Sequence, residues 1–269
     1  TNTASIHSRP CFLCQTNRPQ EQEFISYRNY QILVNPYPIF KHHFTIADKE
    51  HKSQSIVGRF KDMIEFTDIM REYFLLYNGP ECGASAPDHA HFQACSKEES
   101  MQGSYYDHIE LIDNDKVRIS YEDFPYSFIR IQAKNKKTMS KTFHLIYDIL
   151  AANNNGKEPM MNILAWYGLE ITKEHFRKNY DDEFESVAEH PYNCVIFLRS
   201  KHRPDCYYAK GDEQILISPA IAEMNGIFPI VREEDMEKLT PEKVYDIYRE
   251  VSISKEKLQE IIERIKAAL

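Results

Sequence analysis

The segment Gly83-Ala84-Ser85-Ala86-Pro87-Asp88-His89-Ala90-His91-Phe92-Gln93 concentrates side chains suited to chemistry. Its two histidines and glutamine follow one another at a spacing of two, which on a strand sets His89, His91 and Gln93 on one face. Burying two imidazoles and an amide for packing alone is costly. An imidazole can attack phosphorus, and an amide can hold a phosphoryl oxygen. The Gly/Ser turn ahead of the strand offers backbone N–H groups to an anion. These residue types read as a nucleotidyl-transfer site built on a histidine nucleophile. The alternatives are a metal site or a half-exposed polar strand.

The elements that must position this strand can be read from periodicity. Residues 23–34 alternate and are rich in Tyr, Ile and Val, so they predict a hairpin turning near Arg28 and Asn29. Asn35-Pro36-Tyr37-Pro38 breaks it, and 43–47 is a further strand. Ile56, Phe60, Met63, Ile64 and Thr67 recur at helical spacing, predicting a helix over 55–73. The turn Asn78-Gly79-Pro80 leads to the histidine strand, which runs to Cys95. A polar loop is expected at 97–104, and strands at 109–112, 117–121 and 127–132, with Asp113-Asn114-Asp115 as a turn. A basic linker, 134–137, enters a helix ending near Asn153.

Residues 153–156 form the clearest break. Core strands are expected beyond it at 160–167 and 193–198, an acidic loop at 180–189 and a short strand at 215–217. Thr240-Pro241 starts a helix with an N-cap and Pro at its first position. Leu258, Ile261, Ile262 and Ile265 share one face of a last helix. Both halves follow a loose order of strands, turn, strands and helix. The expected organisation is therefore an N-terminal half, 1–135, with the histidine strand, and a diverged C-terminal half, 136–269, completing the substrate site.

Composition narrows the partners. The chain has 269 residues, 42% hydrophobic and 28% charged, as ordinary globular proteins do. A net charge of −8 argues against broad nucleic-acid binding, while a local cluster can still receive a small anion. No apolar run approaches a membrane span, and the first residues lack the basic start and apolar core of a secretory leader. Six cysteines are too few for a disulfide scaffold. Cys82, Cys95, Cys194 and Cys206 read as reduced buried thiols, and a cytoplasmic location is expected.

Tyr77-Asn78-Gly79-Pro80, Gly83-Ala84-Ser85 and His89-Ala90-His91-Phe92-Gln93 together resemble the active-site segment of the histidine-triad superfamily. The branch is that of galactose-1-phosphate uridylyltransferase, diadenosine tetraphosphate phosphorylase and GDP-sugar phosphorylase. The stretch from Ile32 through Asn35 to Phe44, and His51-Lys52-Ser53-Gln54, resemble the phosphorylases in the same order. Cys11-Phe12-Leu13-Cys14 resembles the N-terminal CxxC of the uridylyltransferases. The resemblance spans residues 11–95. Ala90 stands where relatives often carry Pro or Lys, and the Ser-to-His spacing is one residue longer.

The resemblance implies an α+β, histidine-triad-like fold with antiparallel sheets and flanking helices. It implies that His91 attacks an α-phosphorus to form a nucleotidyl-histidine, which a phosphate or sugar phosphate then relieves. Gln93 would hold a phosphoryl oxygen, and Asn78, Ser85 and Asn35 would contact the substrate. Arg199, with Lys201 and Arg203, is the best basic candidate in the second half, although a solvated loop is the plainer reading. Cys11, Cys14, His51 and His89 match the uridylyltransferases' structural zinc ligands in order, and two thiolates with two imidazoles suit tetrahedral zinc. His42, His43, His7, His108, His144, His175, His190 and His202 read as ordinary strand or surface residues. The expected substrate is a nucleotide sugar or dinucleoside polyphosphate. A nucleotide hydrolase and a non-catalytic nucleotide-binding protein are the rival readings, and a homodimer is left open.

Overall fold

The computed structural model describes residues 9–97, 109–122, 125–152, 154–168 and 189–269. The expected loops at 97–104 and 180–189 lie outside these residues, apart from Lys97 and Glu189, as do Asn153, His7, His108 and His175.

Strands β1 (Phe24–Tyr27) and β2 (Tyr30–Val34) form the expected hairpin. Arg28 takes the left-handed conformation (φ 49°) that a two-residue turn of this hand needs. Strands β3 (His43–Asp48), β4 (Tyr73–Asn78) and β5 (His91–Ser96) complete a first series. Strands β6 (Ile109–Asp113), β7 (Val117–Glu122), β8 (Phe128–Ala133), β9 (Met161–Tyr167) and β10 (Tyr192–Leu198) form a second. All pair antiparallel in one sheet, ordered β1-β2-β3-β5-β4-β9-β10-β8-β7-β6. The protein is thus α+β on an antiparallel sheet.

The order reads the same from both edges when the series are counted separately. In each, the fifth strand lies between the third and the fourth, and a helix joins the third to the fourth. These helices are α1 (Phe60–Ile69) and α2 (Lys136–Ala151). The repeat divides the chain between β5 and β6. A division at 135/136 would cut the second series between β8 and α2.

Alternation along the strands separates two apolar layers. One face, with Ile46, Leu75, Phe92, Ile163, Ile196 and Ile131, packs against α1, α2 and the last helix, α7 (Lys255–Ala268). Phe60 of α1 and Phe143 of α2 stack with centroids 3.5 Å apart. The opposite face, with Phe74, Leu76, Leu164, Trp166 and Phe197, packs against residues 221–224 and Tyr248 and Val251. Three short helices, α3 (Asp205–Tyr208), α4 (Ile221–Met224) and α5 (Glu233–Met236), precede α6 (Pro241–Val251). Thr240 caps α6 by accepting from Lys243 N–H.

Besides the histidine strand, helix α1 and residues 215–217 come out differently from expectation, and Tyr73, expected at the end of the helix, opens β4. Helix α1 starts at Phe60 instead of near Ser55, because the Glu158 carboxylate takes the Ser55 hydroxyl and the Ile56 N–H, and Gly58 has φ 74°. Residues 215–217 are no strand. Ile217 N–H bonds Ile215 O within a tight turn, and their side chains pack on Cys206 and Ile247. Among the described residues no helix is long and apolar enough to cross a membrane.

The turn after β4 is pressed against the C-terminal part of the chain. Gly83 has φ 89°, and a Cβ there would stand 2.5 Å from Ala220 Cβ and 2.9 Å from its Cα. Gly83→Ala must therefore strain its own backbone and displace residue 220. The expected cost is about 1–3 kcal/mol, seen as a lower melting temperature. An unchanged melt would show that the two segments do not pack this way.

Candidate functional site

Strand β5 lies between β3 and β4, and its register places Ala47 opposite His91 and Thr45 opposite Gln93. His91 and Gln93 therefore share a face, and Ala47 beside His91 packs among Cys11, Leu13, Leu33 and Ala86. His89 does not share that strand. It precedes β5 in a turn closed by His89 N–H to Ala86 O, so its ring turns elsewhere.

His91 is buried, and its Nδ1 lies 2.8 Å from His89 O. A carbonyl only accepts, so Nδ1 carries the proton and Nε2 keeps its lone pair. Burial holds the imidazole down to about 4, so the ring is neutral near pH 7. A neutral ring with a defined tautomer is the form that can act as nucleophile.

Gln93 is held by His43, which lies buried at the start of β3. Ile39 N–H donates to His43 Nδ1 at 3.2 Å, so His43 Nε2–H donates to Gln93 Oε1 at 2.7 Å. That fixes the amide with its oxygen toward His43 and its NH2 available to an acceptor. Read from sequence as an ordinary strand residue, His43 is part of this cluster. Its spacing from Gln93 along the chain carries no signal, since only the β3–β5 pairing brings them together. Asn35 lies near His43, with Oδ1 taking Tyr37 N–H at 2.9 Å.

Asn78, at the end of β4, is buried. Its Oδ1 accepts from Ile221 N–H at 2.8 Å and from Asn162 Nδ2 at 2.7 Å. Asn162 Oδ1 in turn accepts from Arg199 Nη1 at 2.7 Å. A backbone donor at one end and a guanidinium at the other fix both amides, leaving Asn78 Nδ2 to donate. Arg199 is no solvated loop residue. It is buried, and its five N–H groups go to Asn162 Oδ1 and to the carbonyls of Pro219, Lys201, His202 and Val251. None remains for a phosphate. Ser85 is exposed, and its carbonyl accepts from Arg9.

The four candidate metal ligands meet beside this strand. Cys11 Sγ lies 3.3 Å from His89 Nδ1, and Cys14 Sγ lies 3.2 Å from His51 Nδ1 and 3.5 Å from His89 Nδ1. All four ligand atoms fall within 4.8 Å of one another. Tetrahedral zinc with S and N ligands needs edges of roughly 3.3–3.8 Å, so the donor set fits. His89 Nε2 donates to Asp48 O at 2.8 Å, which turns the Nδ1 lone pair toward the thiols. None of the six cysteines is in a disulfide.

Several comparisons bear on this arrangement. Residues 1–96 match a family model described as a domain of unknown function (DUF4922). No curated protein matches the sequence. A crystal structure of yeast Ap4A phosphorylase Apa2 superposes with a TM-score of 0.61 at 14% identity, covering 93% of this chain and 83% of that one. The same yeast protein in complex with AMP gives 0.52 at 14% identity, covering 84% and 73%. In complex with Ap4A it gives 0.51 at 14% identity, covering 84% and 74%. These likenesses show the fold: the chain is built as the yeast phosphorylase is.

The short helix that supplies Ile221 carries a further titratable group. Glu223 is buried, and its carboxylate accepts Ala220 N–H at 2.9 Å. Burial pushes this carboxyl up to about 7. Its folded value lies above its unfolded value, so its contribution is fully present below about 4.5 and is lost as pH rises through 7. Glu223→Gln should therefore melt above the parent protein by a margin that widens from pH 5 to pH 8. A constant margin would contradict a buried, neutral carboxyl.

Proposed function

We propose that the protein is a nucleotidyltransferase or phosphorylase that forms a covalent nucleotidyl-histidine on His91. Its substrate would be a dinucleoside polyphosphate or a nucleoside-diphosphate sugar. The observation that carries this reading is the bond from His91 Nδ1–H to His89 O, which leaves a neutral imidazole with Nε2 unprotonated. The fold it shares with a yeast phosphorylase solved with AMP and with Ap4A supports a nucleotide as the ligand.

In the first step Nε2 attacks the α-phosphorus. The N–P bond forms as the P–O bond to the leaving phosphate breaks, and the leaving group departs with the electron pair. The ring becomes positive, and His89 O stabilises it through the retained Nδ1 proton. In the second step an oxygen of phosphate or a sugar phosphate attacks the same phosphorus, and the N–P bond breaks to return neutral His91. Gln93 and Asn78 would donate their amide hydrogens to the phosphoryl oxygens, where charge accumulates. Their oxygens are already committed to His43, and to Ile221 and Asn162. Ser85 and Asn35 would border the bound phosphate and ribose.

Cys11, Cys14, His51 and His89 would hold one zinc ion. Bound there, zinc supplies folding energy and ties the N-terminal segment to the lead-in of β5. That the cysteines are without disulfides suits the reducing cytoplasm.

Incubation with Ap4A radiolabelled at its α-phosphates should leave acid-labile label on the protein. His91→Gly should abolish that label while the fold is retained, and a variant that still labels would remove His91 as nucleophile. Gln93→Ala should slow transfer on the order of 10²-fold, the scale of one lost charge-stabilising donor. Release of the nucleotide to water at the rate seen with phosphate would make the protein a hydrolase.

Elemental analysis should find one zinc per chain, and a chelator should lower the melting temperature. A metal-free protein with an unaltered melt would remove the ion from the account.

A further inference from the structure

The chain that follows β3 runs back along the lead-in to β5. Ala90 N–H donates to Lys52 O at 2.6 Å, and Gln54 N–H donates to Pro87 O at 3.0 Å. The side chain of Gln54 then enters the sheet itself. Gln54 is buried, with only 3% of its surface exposed.

The β4–β5 register ends at Leu76 opposite Gln93. Continued by two residues, it would set Asn78 opposite His91 and pair their backbones directly. Gln54 occupies that place instead. Its Oε1 accepts His91 N–H at 2.9 Å, and its Nε2 donates to both His91 O and Asn78 O at 3.0 Å. A backbone N–H only donates and a carbonyl only accepts, so the amide has a single orientation. Arg59 braces the same turn, donating to Ser55 O at 3.1 Å with its guanidinium 4.5 Å over the Phe92 ring.

We propose that Gln54 is a positioning residue for the nucleophile. Its amide replaces the ladder where β4 and β5 part, holds the His91 backbone through both its N–H and its C=O, and so aims the imidazole. The inference rests on the reading of His91 as nucleophile. Where a directly paired ladder would join His91 to Asn78, the Gln54 amide stands between them and bonds both. A backbone shift at His91 would also disturb the bond from its ring to His89 O, whose geometry depends on the path of residues 89–91.

Two variants test the role. Gln54→Ala removes the clamp. Gln54→Glu keeps the volume and still accepts from His91 N–H, but as a carboxylate it cannot donate to either carbonyl. With α-radiolabelled Ap4A, both should slow labelling of His91 on the order of 10²-fold, the scale of a misplacement of about 1 Å, while nucleotide affinity changes far less. Histidine labelled with ¹⁵N gives a second readout that needs no substrate. The parent protein should show His91 as one tautomer, protonated at Nδ1, and both variants should show a mixture. If Gln54→Ala does not fold, Gln54→Glu decides both readouts.

Wild-type labelling rates in the folded variants, or loss of affinity in step with rate, would overturn the proposal. If the parent protein takes no label at all, the nucleotidyl-histidine reading fails with this probe, and the tautomer alone judges Gln54. An unmixed Nδ1–H tautomer in the variants would then overturn it.

Discussion

The hydrogen bond from His91 Nδ1–H to the carbonyl of His89 ties a side chain to the backbone two residues earlier, across 2.8 Å. It decides which ring nitrogen is basic, and it fixes the plane of the ring. Burial keeps the ring uncharged until about pH 4, so the proton on Nδ1 is the only one it carries near neutrality. The neighbouring strands serve this geometry. Ala47 stands opposite His91 on β3. On the other side, β4 ends short of direct pairing, and its last residue, Asn78, turns its amide to Asn162 and Ile221.

His89 joins that chemistry to the architecture. Its carbonyl receives the His91 proton, while its ring faces Cys11 and Cys14 with Nε2 anchored on Asp48 O. Residues 51–54 grip the same lead-in: His51 enters the thiol cluster, Lys52 O takes Ala90 N–H, and Gln54 bonds Pro87 and His91. A metal in the cluster would stiffen the segment whose carbonyl sets the tautomer. Such an ion would influence reactivity without touching substrate.

Much of the site was legible in the sequence because it lies on a strand with period two. His91 and Gln93 occupy one face as that period requires, and Cys11, Cys14, His51 and His89 converge as their resemblance to zinc ligands implied. What the sequence concealed depends on bonds between side chains and distant backbone. Gln54 lies 37 residues from His91, and Asn78 meets Ile221 across 143. No periodicity marks such partners. Arg199 looked like a surface cation because it follows an apolar strand among other basic residues, yet five protein acceptors bury it. A period of two would carry the histidine strand back to His89, yet the turn bond from His89 N–H to Ala86 O starts β5 only at His91.

The doubled strand order shows how one chain builds a lopsided site. In the first series the fifth strand carries His91 and Gln93, and in the second it carries Asn193 and Val195 on the same face of the sheet. The second series contributes support: Asn162 and Arg199 orient Asn78, and Ile221 supplies a backbone donor. The central claim concerns one nitrogen, so the most direct measurement identifies the atom that bears phosphorus. After reaction of ¹⁵N-histidine-labelled protein with Ap4A, the nitrogen–phosphorus coupling should place the nucleotidyl group on Nε2 of His91. Phosphorus on Nδ1, or on any other residue, would contradict the account.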